Sequence, residues 1–442
     1  MSTPVKLPPV SDLLPYTEPD YYQGFYTTYF NETHFALRDE VREFVNEFIV
    51  PYVDEWDVAG EVDPNLYREF GRRGYLCALA GVREYPTEYT DIRIKSVPPE
   101  KFDPFHEIII IDEVCRAGSG GVCWFLMGGY NISVPAIFKF GSPALKRRVL
   151  PDILAGKKRS CLAITEPDAG SDVANLTTTA TLSEDGKHYL VTGTKKWITN
   201  GIFSDYFVTA TRTGKKGMGG ITMLFIERDS QTVDTRKIMT QGMRGSGTTL
   251  LNFDETKVPV ADVIGEVNGG FKSIMANFNH ERLGIIAQAT RFSRVLLQAS
   301  LEWALERETF GTKLINHAVI RSKFGVMAGR IEGVQAWFND LVLQYKYMDD
   351  QEAMVRLGGP IAACKALVTQ TMELCAREAS QIYGGLSYTQ GGKGGTVERL
   401  YREVRAFAIP GGSEEIMIDL GVRQTLKDLK KYEQSLKKQT KL

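Results

Sequence analysis

The rhythm of this chain changes twice, and that order restricts its fold more than any other feature. Between residues 161 and 268 come short runs rich in Thr, Val, Ile, Phe and Tyr, such as "HYLVTGTKKWITN", "SDYFVTATRT", "GGITMLFIERD" and "TTLLNFDETKVPV". Turn clusters at 184–187 and 215–220 separate them. This spacing predicts an antiparallel sandwich or barrel rather than a βαβ sheet. Helical patterns flank it. In "HFALRDEVREFVNEFIVPYVDEW", Phe35, Leu37, Val41, Phe44, Val45, Phe48 and Ile49 recur at three- and four-residue spacing, and Pro51 ends or bends that helix.

Further helices are expected near 64–80, 104–116 and 134–156, then from Phe271 towards Thr309, from Ile315 to Tyr347, from Pro360 to Tyr383, and from "GSEEIMIDLGVRQTL" onward. A chain of 442 residues exceeds one small core. The expected division is an N-terminal extension (1–33), a helical domain (34–160), a β domain (161–268), a helical bundle (269–430) and a basic tail (431–442). This is an α+β multidomain order, not a Rossmann one. No GxGxxG opens a helix after a strand, and Gly391, Gly392, Gly394 and Gly395 lack the spacing of a phosphate loop, so they are read as loop glycines.

Charge excludes other classes. With 53 basic and 54 acidic residues, no whole-chain field would recruit nucleic acid. No uninterrupted apolar run approaches the ~20 residues of a membrane helix. Six cysteines without a CxxC pair and five scattered histidines argue for reduced thiols and against a metal site. The N-terminus is proline-rich, with one lysine before Gln23, and resembles neither a signal peptide nor an Arg-rich presequence. The extension carries five tyrosines and is expected to wrap a neighbouring subunit or cover a substrate entrance. Thr440-Lys441-Leu442 approximates the peroxisomal address SKL, and equally reads as a solvated basic tail. A peroxisome or the cytoplasm is expected, with the mitochondrion left open.

One carboxylate sits where a charge is not expected. In "FNHERLG" (278–284), Glu281 lies three residues after Phe278 and four before Ile285, on a stripe that also holds Phe271, Ile274 and Gln288. Adjacent helical residues do not face each other, so Arg282 is a poor ion-pair partner. Two other segments could carry chemistry. "CLAITEPDAGSD" (161–172) ends in a small-residue turn that offers N–H and hydroxyl groups to an anion or polar ring. "KKWITNG" (195–201) sets a large flat ring beside hydroxyl donors. Either alone could be a polar loop or core.

Together they are more specific. A TEPxAGSD segment followed about 25 residues later by KxWITNG resembles the acyl-CoA dehydrogenase family of flavoenzymes. "ERETFGTKLINHAVI" (306–320), "QIYGG" (381–385) and "GGSEEIMIDLGVRQ" (411–424) follow in the family's order, so the resemblance spans roughly residues 35 to 425. It implies a helical domain, a β domain and a four-helix bundle, with FAD between the β domain and the C-terminal helices. Leu162, Ile164 and Thr165 would face the pyrimidine side of the flavin. Trp197, Ile198 and Thr199 would cover one face of the ring, and Ser171 would meet flavin phosphate or the thioester end of the substrate. Ser413 and Glu415 would also approach FAD. Arg307, Thr309 and Phe310, with Gln381, Gly384 and Gly385, would reach the FAD of a neighbouring subunit, implying a homodimer or homotetramer. The family's His-Gln pair is His317-Ala318 here, so His317 stays in the cofactor set while one hydrogen bond is missing or supplied elsewhere.

The resemblance implies FAD-dependent oxidation of a saturated acyl-CoA to the trans-2-enoyl-CoA, as in fatty acid β-oxidation. A carboxylate takes the α proton while flavin N5 accepts the β hydride. Many members place that carboxylate where this chain has Gly411; the long-chain and isovaleryl-type branches, which this chain resembles, put it in an ERL motif. Glu281 is therefore the expected base, desolvated by its apolar stripe. Arg282, with Gly411 and Gly412, is expected to support the site or the CoA moiety. Glu414 and Glu415 are fallback bases, though acidic residues in a first helical turn commonly just offset the dipole. Electrons would pass to electron-transferring flavoprotein or to oxygen. The same fold could also serve an oxidase, an N-hydroxylase or a desaturase of a carrier-bound intermediate, or a scaffold without catalysis. A nitroalkane oxidase would need an acid at Gly411.

Overall fold

The computed structural model describes residues 14–439 apart from Ser230. They form two compact units. One comprises residues 46–110 and 120–281; the other comprises 111–119, the residues from Arg282 onward and those before Asn46.

The first unit contains the sheet. It takes the last residues of α1 (Glu32–Phe48), then α2 (Val53–Ala59), α3 (Pro64–Arg72), α4 (Tyr75–Ala78) and α5 (Pro104–Cys115) up to Ile110. After these come α6 (Gly120–Cys123), α7 (Tyr130–Phe140) and α8 (Pro143–Leu154). Asp63 and Ser142 cap α3 and α8, each followed by proline at the first helical position, where the lost N–H costs nothing. The stretch Gly120–Phe140 is by length and composition alone apolar enough to cross a membrane. However, 78 % of its window is buried within the structure, as in a core helix.

The strands are β1 (Ser160–Ala163), β2 (Thr179–Leu182), β3 (His188–Ile198), β4 (Tyr206–Arg212), β5 (Ile221–Glu227), β6 (Val233–Lys237), β7 (Thr249–Pro259) and β8 (Val263–Ile264). They order as β6-β7-β3-β2-β4-β5-β8, with β1 on β4. The sheet is mixed rather than wholly antiparallel: β1 runs parallel to β4, and Thr179 of β2 pairs Arg212 of β4 in parallel. β1 leaves α8 directly and reaches β4 only after β2 and β3, a long connection of the kind a parallel pair needs. Cys161, Val191, Ile198, Phe207, Leu224 and Phe253 fill the core beneath it.

The second unit is helical. α9 (Gly270–Glu306) starts in the first unit and continues here, followed by the hairpin β9 (Glu308–Thr309) and β10 (Thr312–Lys313). Then come α10 (Ala318–Tyr347), α11 (Asp350–Arg356), α12 (Gly358–Tyr383), α13 (Gly395–Ala408) and α14 (Glu414–Gln439). α12 packs against α10, α13 and α14. α13 was not among the anticipated helices. It starts at Gly395, read from sequence as a loop glycine, and buries Val397, Leu400, Val404 and Phe407 at three- and four-residue spacing.

The described part of the N-terminal extension belongs to this unit. Tyr21 stacks on Phe30 with ring centroids 4.2 Å apart. Glu18 receives Arg42 and Arg291, each at 2.9 Å. Burial would raise the Glu18 pKa, but the two guanidinium charges outweigh it and hold the carboxyl at about 2. An apolar groove of about 650 Å³ between α10, α12 and α14, lined by Trp337, Leu367 and Val422 among others, holds none of the expected site residues.

Candidate active site

The two motifs of the β domain are sewn together by backbone and charge. Lys196 N–H donates to Thr165 O at 2.9 Å. Lys195 Nζ donates to Ile164 O at 3.0 Å and to Glu166 Oε1 at 2.8 Å. The side chains of Lys195 and Glu166 are 0 % and 2 % exposed. Glu166 also accepts from Thr177 N at 2.6 Å, Thr177 Oγ1 at 2.7 Å and Thr178 N at 2.9 Å. It therefore fixes both ends of the 165–178 loop, which carries Ser171. Burial disfavours charge on both partners. For Glu166 the Lys195 charge and the hydrogen bonds win, and its pKa falls to about 2. For Lys195 burial wins over the carboxylate, and its pKa falls to about 8. This pair was not visible in the sequence.

The WITN segment then breaks the strand. The ladder between β3 and β7 shifts register between Lys195 and Ile198, as bulges beside functional sites do. Trp197 and Asn200 adopt left-handed backbone, φ 60° and 61°. A bulky residue there costs roughly 1 kcal/mol or more. The result is that Ile198 points into the core while the Trp197 indole stays 49 % exposed. Asn200 is buried: Oδ1 accepts from Gly129 N at 2.8 Å, and Nδ2 donates to Trp124 O at 2.9 Å and Ser246 O at 2.8 Å. Trp124–Gly128 form a π-helical turn, a local feature frequent at functional sites, which sequence patterns did not show. The signal available was Gly128-Gly129: a Cβ on Gly128 would lie 2.9 Å from Thr199 Cγ2, and one on Gly129 would lie 2.7 Å from Asn200 Oδ1. Leu162 and Thr165 are partly buried, Ile164 is buried, Thr199 is partly buried and Ser171 is exposed. A half-exposed indole flanked by threonine hydroxyls and a serine-bearing turn fits a flat, polar-edged ring such as a flavin.

The same turn of α7 touches α9. Asn277 Nδ2 donates to Ile132 O at 2.7 Å, three residues beyond the Gly129 that meets Asn200. Within the first unit, α7 thus bridges the WITN segment and the helix that bears Glu281. His280 is buried against Glu107, Nε2 to Oε1 at 2.7 Å. Glu281, one turn after Asn277, is partly buried. Ile274, Ile285 and Gln288 of its stripe are buried, and Phe271 and Phe278 are partly so.

In the second unit the remaining residues form two groups. Arg282 is buried and its Nε donates to Gly411 O at 2.9 Å. Lys365 Nζ donates to Ala408 O and Gly412 O, both at 2.8 Å. These cations hold a turn in which Gly411 and Gly412 have φ 68° and 102°. Ser413 follows it, and its carbonyl accepts from Met417 N at 2.9 Å in the first turn of α14. Glu415 is exposed there, its pKa lowered by its own backbone N–H and the Ser413 hydroxyl. The fallback Glu414 accepts from Thr369 Oγ1 at 3.1 Å. The other group surrounds the β9–β10 hairpin. Leu314 N–H donates to Arg307 O at 2.8 Å, and Thr309 Oγ1 lies 3.3 Å from His317 Nε2. Phe310 is 98 % exposed. Trp303 at the end of α9 stacks on Tyr383 at the end of α12, centroids 5.4 Å apart, so Arg307 lies near the end of one stacked helix and the exposed Gln381, Gly384 and Gly385 flank the end of the other.

Comparison with known proteins accounts for this assembly. The chain matches the family models of the acyl-CoA dehydrogenase N-terminal domain over residues 31–157, the middle domain over 161–256 and the C-terminal domain over 268–426. It is 39 % identical to the acyl-CoA dehydrogenase apdG of Emericella nidulans, over 96 % of this chain and 98 % of that one. It is likewise 39 % identical to the acyl-CoA dehydrogenase AFT10-1 of Alternaria alternata, over 94 % and 96 %. Among solved structures, butyryl-CoA dehydrogenase from Megasphaera elsdenii superposes with a TM-score of 0.81 at 25 % identity, covering 90 % of this chain and 99 % of that one. With three consecutive domain matches and relatives aligned nearly end to end, the chain belongs to the acyl-CoA dehydrogenase family, FAD-dependent oxidoreductases that act on CH–CH bonds.

Proposed function

We propose that the chain oxidises a saturated acyl-CoA thioester to the trans-2-enoyl-CoA, with Glu281 taking the α proton. The observation that carries this is the setting of Glu281: a half-buried carboxylate on an otherwise apolar stripe of α9, one turn beyond a residue anchored to the helix that also anchors the WITN segment. FAD, when bound, accepts the β hydride, so the two electrons leave with it and the Cα–Cβ bond becomes double. The rest falls to side chains of this chain. Trp197 and Thr199 form one wall for the ring, backed by Ile198 in the core, with Leu162, Ile164 and Thr165 along its polar edge. Ser171 reaches the phosphates or the thioester end. Arg282, Gly411 and Gly412 support the acyl thioester, and Ser413 and Glu415 offer polar contacts at a helix N-terminus.

The hairpin at 307–317 supports a shared site. Phe310 is 98 % exposed beside Arg307, Thr309 and His317, in the same unit as exposed Gln381, Gly384 and Gly385. These residues serve the FAD of a neighbouring copy in a homodimer or homotetramer. Electrons pass on to electron-transferring flavoprotein or oxygen, and the activity fits fatty acid β-oxidation or a related acyl oxidation. Thr440–Leu442, on which a peroxisomal rather than cytoplasmic location would rest, lies outside the described residues.

Glu281→Gln tests the assignment. With FAD bound and its spectrum unchanged, the variant should reduce flavin under anaerobic acyl-CoA about 10²- to 10⁴-fold more slowly. Undiminished bleaching by every acyl-CoA that bleaches the parent enzyme would remove Glu281 from the mechanism.

A further inference from the structure

Three buried polar atoms on α9 and the segment that anchors it meet no partner among the described residues: Asn277 Oδ1, His280 Nδ1 and Asn131 Oδ1. Their residues are 3 %, 6 % and 7 % exposed. They are neighbours. Asn277 and His280 stand one turn apart on α9, and the Asn277 amide nitrogen bonds to Ile132 O, the residue next to Asn131. In helical projection Asn277 falls between His280 and Glu281. The other polar atom of two of them is already held: Asn277 Nδ2 by Ile132 O, His280 Nε2 by Glu107 at 2.7 Å. Leaving one such buried group unmet is costly, and three together are not explained by packing.

We propose that these three atoms form a polar recess for the acyl chain, so that the substrate is an acyl thioester bearing a hydrogen-bond donor, a hydroxyl or amide N–H, beyond the reacting carbons. The donor set decides the sign. Both asparagine oxygens accept only, and His280 Nδ1 accepts in the tautomer that gives Nε2–H to Glu107. Three acceptors suit a donor and leave a plain methylene chain facing unmet oxygens. Asn277 and His280 act here as specificity-determining residues. Gly81 keeps the wall close: at φ +67°, its Cβ position would lie 3.0 Å from His280 Cε1 and 2.7 Å from Pro135 Cγ.

The inference rests on Glu281 chemistry, and one experiment separates the two. Anaerobic flavin reduction of the FAD-loaded enzyme is followed with hexanoyl-CoA and with its δ- and ω-hydroxy derivatives. At least one hydroxyacyl-CoA should exceed hexanoyl-CoA in reduction rate over apparent Kd by roughly 10- to 100-fold. Asn277→Leu and, independently, Asn131→Leu should bring that ratio towards one while the flavin spectrum persists. Bleaching by hexanoyl-CoA equal to or better than by both hydroxy derivatives overturns the recess and leaves the base assignment intact. A preference that survives both substitutions also overturns it. Failure of every acyl-CoA to bleach the flavin overturns both readings.

Discussion

Glu166→Gln should unfasten the cofactor motifs. Glutamine keeps only one of the two carboxylate oxygens, Oε2 that accepts from Thr177 or Oε1 that accepts from Thr178 and Lys195, and it removes the charge that balances Lys195, whose side chain is fully buried. The magnitude follows from the native carboxyl. Burial raises its pKa, yet Lys195 and the three hydrogen bonds bring it to about 2 from an ordinary 4.5. A difference of that size is worth roughly 3 kcal/mol of folding stability. That agrees with the ~3–5 kcal/mol cost of stranding one partner of a buried ion pair. Because the folded pKa lies below the unfolded one, this contribution is complete above pH 4.5 and is lost as pH falls towards 2. Lys195 adds the opposite trend at high pH. With its folded pKa depressed to about 8 from 10.5, stability should rise as pH climbs through that interval.

The assay is urea unfolding of the FAD-saturated enzyme by fluorescence, paired with the rate of FAD release. Glu166→Gln should lower stability by about 3 kcal/mol between pH 5 and 7 and speed FAD release, since the 165–178 loop and the strand before Trp197 both hang on this carboxylate. The gap to wild type should close as pH drops below 4.5. Adding Lys195→Met should recover part of the loss, because no cation is then buried alone. A variant within 1 kcal/mol of wild type in this range, with unchanged FAD release, would refute the idea that the pair holds the motifs together.

Gly81→Ala should cost about 2–4 kcal/mol by thermal unfolding, since a left-handed backbone and three contacts inside 3.1 Å both resist a methyl group. Glu18→Gln should lower stability by about 2–3 kcal/mol near neutrality, and the difference should shrink below pH 4.5 as the carboxyl of the unfolded chain takes up protons while the folded one, held at about 2 by Arg291 and Arg42 against burial, stays charged. Lys365→Met should cost about 2 kcal/mol in urea, because the carbonyls of Ala408 and Gly412 each lose a charged donor.

What the sequence disclosed was whatever repeats with a period or travels as a contiguous string. The stripe of α9 placed Glu281 facing inward, and Glu281 is partly buried among buried Ile274, Ile285 and Gln288. The β-rich interval was plain from its short strands, although the parallel seat of β1 was not, because strand partnership across some forty residues leaves no local trace. α13 had a readable stripe and was hidden by the glycines before it. The deeper omissions are charges in the interior. Lys195 and Glu166 stand 29 residues apart, and Arg291 and Glu18 stand 273 apart. A pattern reader assigns such residues to the surface, since only the partner makes their burial tolerable.

The choice of Glu281 over the turn at 411 has a backbone reason as well as a motif. Gly411 sits at φ 68°, where a side-chain-bearing residue costs roughly 1–2 kcal/mol. Its carbonyl is also the acceptor of the buried Arg282, the residue next to Glu281. A carboxylate grafted onto that turn would need either strain or a peptide reorientation that breaks the Arg282 bond. A helix offers the alternative. α9 fixes its own backbone with hydrogen bonds, and side-chain contacts on neighbouring residues set its rotation: Asn277 to Ile132, His280 to Glu107 and Arg282 to Gly411. A base carried between such contacts can be held in one orientation without conformational strain of its own, which is what proton abstraction from a weak carbon acid demands. The same anchors that steady Glu281 also leave Asn277 Oδ1 and His280 Nδ1 unmet beside it. Under the proposed chemistry, positioning of the base and recognition of a polar acyl chain would be two consequences of one helix face.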